Sequence, residues 1–278
     1  MREYTTLRLG GPADWLVTPR SAEEIPLIFA EAAERGIPVT VIGHGSNLLV
    51  TDGGIRGVVI RTVRGLNQIR IEGNRMTVSS GVMMGSAAAA AAEAGLSGME
   101  FASGIPGTIG GGAVMNAGAY DGEMSRIIRE VTVVTPAGET KVLGGEELDF
   151  GYRRSALQGA DGIVTEIGIE LEPGDPAAIR EKMSELNRRR AEKQPLDVPS
   201  AGSTFKRPEG AFAAALIDQC GLKGFRIGGA RVSEKHAGFL VNTGDSAADY
   251  LALVRKVQDI VEEKTGVRLE CEIRILGE

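Results

Sequence analysis

The sequence predicts an α+β protein with a larger strand-rich part first and a smaller α/β part at its end. Three observations predict this. Helical and strand patterns alternate along the chain instead of one kind dominating. Glycine is concentrated in two loops, each flanked by strand patterns. A stretch with two prolines and no periodicity, "QPLDVPSAG", separates a long polar helical pattern from the final segment.

The elements follow in order. "DWLVTP" reads as a short strand and "SAEEIPLIFAEAAERG" as a helix, with Ser21 and Glu24 spaced as a capping box and Gly36 past its end. "IPVTVIG" reads as a buried strand that delivers the chain into the loop around His44. "RGVVIR", "IRIEG" and "RMTVSSG" are further strands. "MGSAAAAAAEAG" is a strong helix former ended by Gly95. "REVTVVTPAGET" is a hairpin about Pro136, Ala137 and Gly138, and "DGIVTEIGIELEPG" another strand. Asp175 and Pro176 start a helix that runs to about Lys193. A boundary is placed around residues 186–200. Beyond it come a short helix near Ala211–Cys220, the strand "GFLVN" and a long helix over 246–265. Ser246 and Asp249 cap that helix, and Tyr250, Leu251, Val254, Val257 and Val261 form its apolar stripe. "RLECEIRIL" alternates strictly and predicts a final strand, with Leu269, Cys271, Ile273 and Ile275 on one face.

Composition excludes several classes. The 278 residues carry a net charge of −6, against nucleic acid or an anionic membrane as the main partner. With 4% aromatic residues the chain is not a base-stacking platform. Cys220 and Cys271 are the only cysteines, so no disulfide framework and no zinc-spaced cluster is expected, and no metal. No apolar run reaches membrane-spanning length and "MREYTTLRLGG" has no signal core, so a cytoplasmic protein is expected.

Glycine is the outlier, at 39 residues, six of them between Gly104 and Gly118. One loop is Gly43, His44, Gly45, Ser46, Asn47. The other comprises Ser103, Gly104, Ile105, Pro106, Gly107, Thr108, Gly110 and Gly111. Small residues let a flat or charged ligand approach the backbone, and Pro106 and Thr108 sit near a helix start. A pair of such loops points to a dinucleotide, yet the G-x-G-x-x-G fingerprint fails because position 48 is Leu. Each loop alone reads equally as a tight turn. His44 reads as a base, a cofactor anchor or a spacer in the loop; His236, in "SEKHAGFLVN", as a turn residue or a substrate contact. "GYRRS" is a basic turn or an anion contact. Ser203, in "SAGSTFKRP", is outside any nucleophile elbow but is able to donate a proton. Glu272 falls mid-strand on the polar face of the final strand.

"LGGPADWLV", "GHGSNLLV", "SGIPGTIGGGAVMNAGAY", "GYRRS", "SAGSTFKRP", "KHAGFLVN" and "CEIRILGE" occur in this order. Together they resemble the UDP-N-acetylenolpyruvoylglucosamine reductase family from about Thr5 to the C-terminus. The resemblance implies an FAD-binding fold of the vanillyl-alcohol oxidase / p-cresol methylhydroxylase type over residues 1–185, in lobes of about 1–60 and 61–185. It implies an α/β substrate-binding domain over 186–278. It implies non-covalent FAD held by the two glycine loops, and NADPH as co-substrate. The expected reaction reduces UDP-N-acetylglucosamine enolpyruvate to UDP-N-acetylmuramate in peptidoglycan precursor synthesis. No nucleic acid, membrane or obligate protein partner is implied.

Residue by residue, the resemblance implies that Ser203 is the proton donor and that Arg153 and Glu272 are the other catalytic residues. Tyr152, Lys193, Arg207 and His236 fall at substrate-contact positions. Arg188, Arg189, Lys206 and Arg231 join Arg207 as candidates for the diphosphate. The span from Arg154 to Ser203 is too short for the tyrosine-bearing insert of longer family members, so the chain resembles the family's shorter form. Two other readings compete: a different oxidoreductase of the same flavin fold, which would not need the Gly-Ser-Thr-Phe motif, and a non-catalytic FAD-binding protein, which would not turn over.

Overall fold

The computed structural model describes all residues, 1–278. They form two compact units that do not follow chain order. The larger comprises Trp15–His44 and Gly57–Arg189; the smaller comprises Met1–Asp14, Gly45–Arg56 and Arg190–Glu278.

The larger unit is built on a five-stranded antiparallel sheet. Its order is Thr140–Gly144, Ile128–Val134, Ile163–Glu170, Arg75–Ser79, Ile69–Glu72. The hairpin expected about Pro136–Gly138 joins the first two strands, with Gly138 at φ +83°. Strand Ile163–Glu170 buries Ile163, Val164 and Thr165 in a row and then alternates, with Ile167 and Ile169 buried between less buried neighbours, as one face on a core requires. A three-stranded sheet (order Ala13–Val17, Ile55–Arg61, Val39–Ile42) carries helix α1, Ile25–Glu34. The alanine-rich α2, Met84–Glu93, buries Ala87, Ala88, Ala91 and Ala92; side chains this small let the helix come close to its neighbours. The short α3, Ile109–Val114, adds Ile109 and Ala113 to the same core as Met76, Val78, Val131 and Ile167. Each of the large side chains buried there contributes about 1.5–3 kcal/mol. The long polar α4, Pro176–Lys193, starts as predicted, the Asp175 carboxylate accepting from Ala177 N and Ala178 N.

Two expectations fail in this unit. The strand over 37–42 is not buried. It lies at the sheet edge, only Ile42 is buried, and Val41 is 41% exposed; the buried central strand is Ile55–Arg61. The Ser21–Glu24 capping box does not form. The Glu24 carboxylate instead accepts from the backbone N–H and Nε of Arg20, and α1 starts after a short 3-10 turn.

The smaller unit has a four-stranded antiparallel sheet in the order Ser200–Ser203, Phe239–Asn242, Ala230–Val232, Arg226–Ile227. It shares a core with α5, Ala213–Gln219, and α6, Ala247–Thr265. Tyr250, Leu253, Val254, Val257 and Val261 are the buried face of α6. Ser246 caps α6 by accepting from Asp249 N, but the Asp249 carboxylate turns away to Gly229 N. The other cap is Asp52, which accepts from Ala247 N and Ala248 N, where a carboxylate suits the helix dipole. The final strand is shorter than its alternation predicts. Only Arg274–Leu276 forms a strand, in parallel with Leu48–Val50; Cys271 makes a single antiparallel bridge to Phe205. Leu269 and Ile273 are buried, but Ile275 is 45% exposed. No helix of the chain is long and apolar enough to cross a membrane.

Candidate active site

In the larger unit the two glycine loops touch. Thr108 caps α3, its Oγ1 accepting from Gly111 N at 3.2 Å. A Cβ at Gly43 would stand 2.5 Å from that same Oγ1, so only glycine allows this approach. A third segment closes in at Ser80. Gly110 N donates to Ser80 O, and a Cβ at Gly110 would lie 2.6 Å from Ser80 Cβ. Ser103 Oγ bonds Glu100 O and Asn187 Oδ1, holding the start of the second loop. Gly104 and Ile105 are half-buried, Pro106 is exposed, and Gly107 is buried with its carbonyl accepting from Met84 N.

Two buried polar atoms beside these loops have no partner within the protein: His44 Nδ1 and Ser80 Oγ. Burial holds the His44 imidazole below the usual histidine range, and the positive charge of Arg61 pushes it the same way. Arg61 stands opposite Ile42, at the mouth of the His44 loop. Close backbone, unsatisfied polar atoms and a nearby guanidinium are what a dinucleotide pyrophosphate needs, so the residues fit FAD.

Also in the larger unit, Gly151 and Arg154 exchange two backbone hydrogen bonds around Tyr152 and Arg153. Arg153 sits at φ +53°, uncommon for a residue with a side chain. Its guanidinium donates to Gly118 O at 3.2 Å and Asn116 O at 3.5 Å, and lies 5.1 Å from the centroid of the exposed Tyr152 ring. Arg154 turns outward to an exposed two-point pair with Asp149. Asn116, buried and at φ +41°, ties the arrangement together: Nδ2 donates to Gly151 O and Oδ1 accepts from Ser125 N.

In the smaller unit Gly45 is left-handed, φ +72°, with Tyr4 O where a Cβ would be. Ser46 and Asn47 make the turn into Leu48–Val50. Asn47 Nδ2 donates to Glu272 O, and Asn47 O accepts from Arg274 N. Ser203 ends its strand opposite Phe239, after a bulge with Gly202 at φ +77°. Glu272 is not mid-strand as its alternation suggested. It lies in the break between the Phe205–Cys271 bridge and Arg274–Leu276. Its N–H donates to Thr204 O at 2.8 Å. The unit therefore brings Ser203 and Glu272 together through one residue. His236 joins them: its Nδ1 accepts from Gly238 N, and Gly238 O accepts from Thr204 N. Burial keeps His236 below the usual range. Lys193, the last residue of α4, is exposed, as is Arg207, which stacks 4.5 Å from the Phe212 centroid.

Arg188 and Arg189 belong to α4, where Arg189 stacks on Tyr120. Lys206 pairs with Glu270, and Arg231 stands opposite Val241 in the sheet. Sequence reasoning passed over Asn116, Arg61, Ser80 and the partners of Thr204. Only Asn116 left a signal: in "MNAGAY" it is a residue that tolerates left-handed backbone, just before Ala-Gly. No three His, Cys, Asp or Glu residues converge as a metal site. A cavity of about 570 Å³, lined by Trp15, Leu27, Ile28, Ile37 and Val58, includes none of the candidate residues.

Two family models match the chain. One, an FAD binding domain, matches residues 13–144; the other, the C-terminal domain of UDP-N-acetylenolpyruvoylglucosamine reductase, matches 194–276. Proteins described as UDP-N-acetylenolpyruvoylglucosamine reductase are similar over the whole chain. That of Lactiplantibacillus plantarum is 48% identical, covering 100% of this chain and 92% of its own. That of Clostridium botulinum is 49% identical, covering 100% and 91%. The crystal structure of UDP-N-acetylenolpyruvylglucosamine reductase from Thermus caldophilus superposes with a TM-score of 0.86 at 39% identity, over 99% of this chain and 97% of that one.

Proposed function

The chain belongs to the UDP-N-acetylenolpyruvoylglucosamine reductase family, and we infer from this that it reduces UDP-N-acetylglucosamine enolpyruvate to UDP-N-acetylmuramate for peptidoglycan synthesis. It is an FAD-dependent oxidoreductase with NADPH as reductant. The observation that carries this is the likeness over the whole chain, which leaves neither half unmatched. On this reading FAD is held within residues 1–185, and 186–278 serve the nucleotide sugar. The work is done in the cytoplasm, where nucleotide sugars and NADPH are kept.

FAD, when bound, would supply hydride-transfer chemistry between NADPH and the enol ether carbon–carbon double bond. The glycine backbone of Gly43–Asn47 and Ser103–Gly111 would hold it, with Ser80 Oγ, His44 Nδ1 and Arg61 as polar contacts. The chain's own chemistry concerns the charge and the proton. As hydride reaches the methylene carbon, negative charge builds on the adjacent carbon and spreads into the carboxylate. A fixed guanidinium suits that charge, because it is delocalised, permanently protonated and already oriented. That role is assigned to Arg153, with Glu272 supporting it. The Ser203 hydroxyl then gives its proton to the carbon beside the carboxylate, completing the lactyl ether. His236, Lys193, Arg207 and Tyr152 are assigned to the substrate.

An anaerobic spectrum of the purified protein tests this. NADPH is expected to bleach the flavin and UDP-N-acetylglucosamine enolpyruvate to restore it. Acid is expected to release the FAD into the supernatant. Colour that does not return on adding the enolpyruvyl sugar would refute the assigned reaction.

A further inference from the structure

We propose that Thr204 and Tyr250 form a positioning pair that fixes Ser203 relative to Glu272 for proton transfer, a proposal resting on the reading of Ser203 as proton donor. Both residues are fully buried. Tyr250 Oη donates to Leu240 O at 3.1 Å, and Leu240 N donates to Thr204 Oγ1 at 3.3 Å. The remaining contact, between Thr204 Oγ1 and Tyr250 Oη, is 3.3 Å. Tyr250 has one hydroxyl hydrogen, and it goes to Leu240 O. The hydrogen in the Thr204–Tyr250 contact is therefore Thr204's. Three donors and three acceptors close a ring, with every hydrogen used once. Desolvation raises the Tyr250 hydroxyl well above the usual phenol range, so it stays protonated and the ring does not titrate.

The ring acts on the backbone of Thr204. That backbone is covalently next to Ser203, donates to Gly238 O at 2.9 Å and accepts from Glu272 N at 2.8 Å. The side chain thus holds in one place the backbone that is joined covalently to Ser203 and by a hydrogen bond to the Glu272 N–H. Gly238 extends the hold to His236 through Nδ1. Valine and phenylalanine would fill the same volumes without burying hydroxyls. Buried polar rings of this kind specify a single arrangement where apolar packing tolerates several. Ser203 needs that, because it follows directly on a bulge, with Gly202 at φ +77°, where the regular ladder does not fix the strand end.

The test uses the FAD-loaded enzyme in stopped flow, reading bleaching by NADPH and colour return on UDP-N-acetylglucosamine enolpyruvate separately. Thr204→Val and Tyr250→Phe are expected to keep full flavin and bleach at close to the wild-type rate. Their colour return should slow by roughly 10- to 100-fold, the usual cost of a misplaced reacting group. Thr204→Ser, which keeps the hydroxyl, should restore most of the rate. Amide hydrogen exchange at Glu272 should quicken in the valine variant and not in the serine one. In a Ser203→Ala background Thr204→Val should add no further slowing, since the group it positions is gone. Equal slowing of both half-reactions, or additive slowing in that background, would overturn the proposal. If Thr204→Val does not fold, Tyr250→Phe, which removes one oxygen and keeps the ring, decides alone. If Ser203→Ala itself leaves colour return untouched, the donor assignment fails, and the proposal with it.

Discussion

Arg153 and Ser203 are held in opposite ways. Arg153 is held by its side chain: the guanidinium is committed to Asn116 O and Gly118 O, and its own backbone is left-handed at φ +53°. Ser203 is held by its neighbours. The left-handed backbone sits on Gly202, where it costs little, and the hydrogen bonds sit on Thr204. The difference matches the chemistry assigned to each. A charge that must meet developing charge gains from being oriented beforehand, because reorganisation during reaction costs rate. A proton donor has to change partners during the reaction, so its position is better set through the backbone than through its hydroxyl.

The comparison is most sharply tested at Ser203. Ser203→Ala should leave bleaching by NADPH near the wild-type rate and slow colour return by roughly 10²–10⁴-fold, the span for losing a general acid. Cysteine, which also donates, should retain more activity than alanine. Were Ser203 only a small residue in a tight strand end, alanine would be tolerated in both half-reactions.

Arg153→Lys comes next. Lysine keeps the charge but cannot reach two carbonyls as a planar fork does. Turnover should drop by roughly 10²–10³-fold, as for an oxyanion contact, with flavin content normal. Wild-type turnover in this variant would make Arg153 a turn residue and dissolve the contrast.

Much of this arrangement was legible in the sequence. The glycine loops, the hairpin at Gly138 and helices α2, α4 and α6 follow from local rules that need no partner: propensity, caps and left-handed glycine. Where the reading failed, a competing contact decided, from a near neighbour in one case and from a distant residue in another. The Ser21–Glu24 spacing was right for a capping box, but Arg20 claimed the carboxylate. Ser246 caps α6 as its position predicts, but the Asp249 carboxylate bonds Gly229, and the second cap is Asp52, remote in sequence. Alternation carried the last strand too far, since it reports burial and not pairing. Tyr250 was read as one residue of an apolar stripe, which its ring is; nothing local to α6 announces that its hydroxyl closes a ring with Thr204.

A smaller effect is expected from pH, and it probes the Ser203 side. His44 and His236 are both held below the usual histidine range by burial, so the folded protein resists protonating them. The unfolded chain binds protons near pH 6.5, the folded one only lower. The stability these neutral histidines contribute is therefore complete above about pH 6.5 and lost as pH falls through their folded values. The melting temperature should fall between about pH 7.5 and pH 5.5, before most carboxylates titrate. His236→Asn keeps an acceptor for Gly238 N without the titration, so it should flatten part of that fall. An unchanged pH profile in the variant would mean that His236 titrates alike in both states.

The smallest effect is expected one residue from one of the largest. Arg154 and Arg153 are the same residue type, adjacent, in the same turn, and a reading from composition cannot separate them. Their surroundings do. Arg154 Nη1 and Nη2 meet the two Asp149 oxygens at 2.7 and 3.2 Å, and both side chains are more than half exposed. Water competes for both charges, and holding two long side chains costs conformational entropy. Such pairs are worth roughly 0–1 kcal/mol. Arg154→Gln should therefore leave turnover and flavin content at wild-type levels and shift stability by only about 0.5 kcal/mol, read from a urea melt. The backbone bonds between Gly151 and Arg154, which form the turn, survive the change because they involve no side chain. If Arg154→Gln instead loses as much turnover as Arg153→Lys, the turn acts as a unit, and the carbonyl contacts of Arg153 are not what sets it apart.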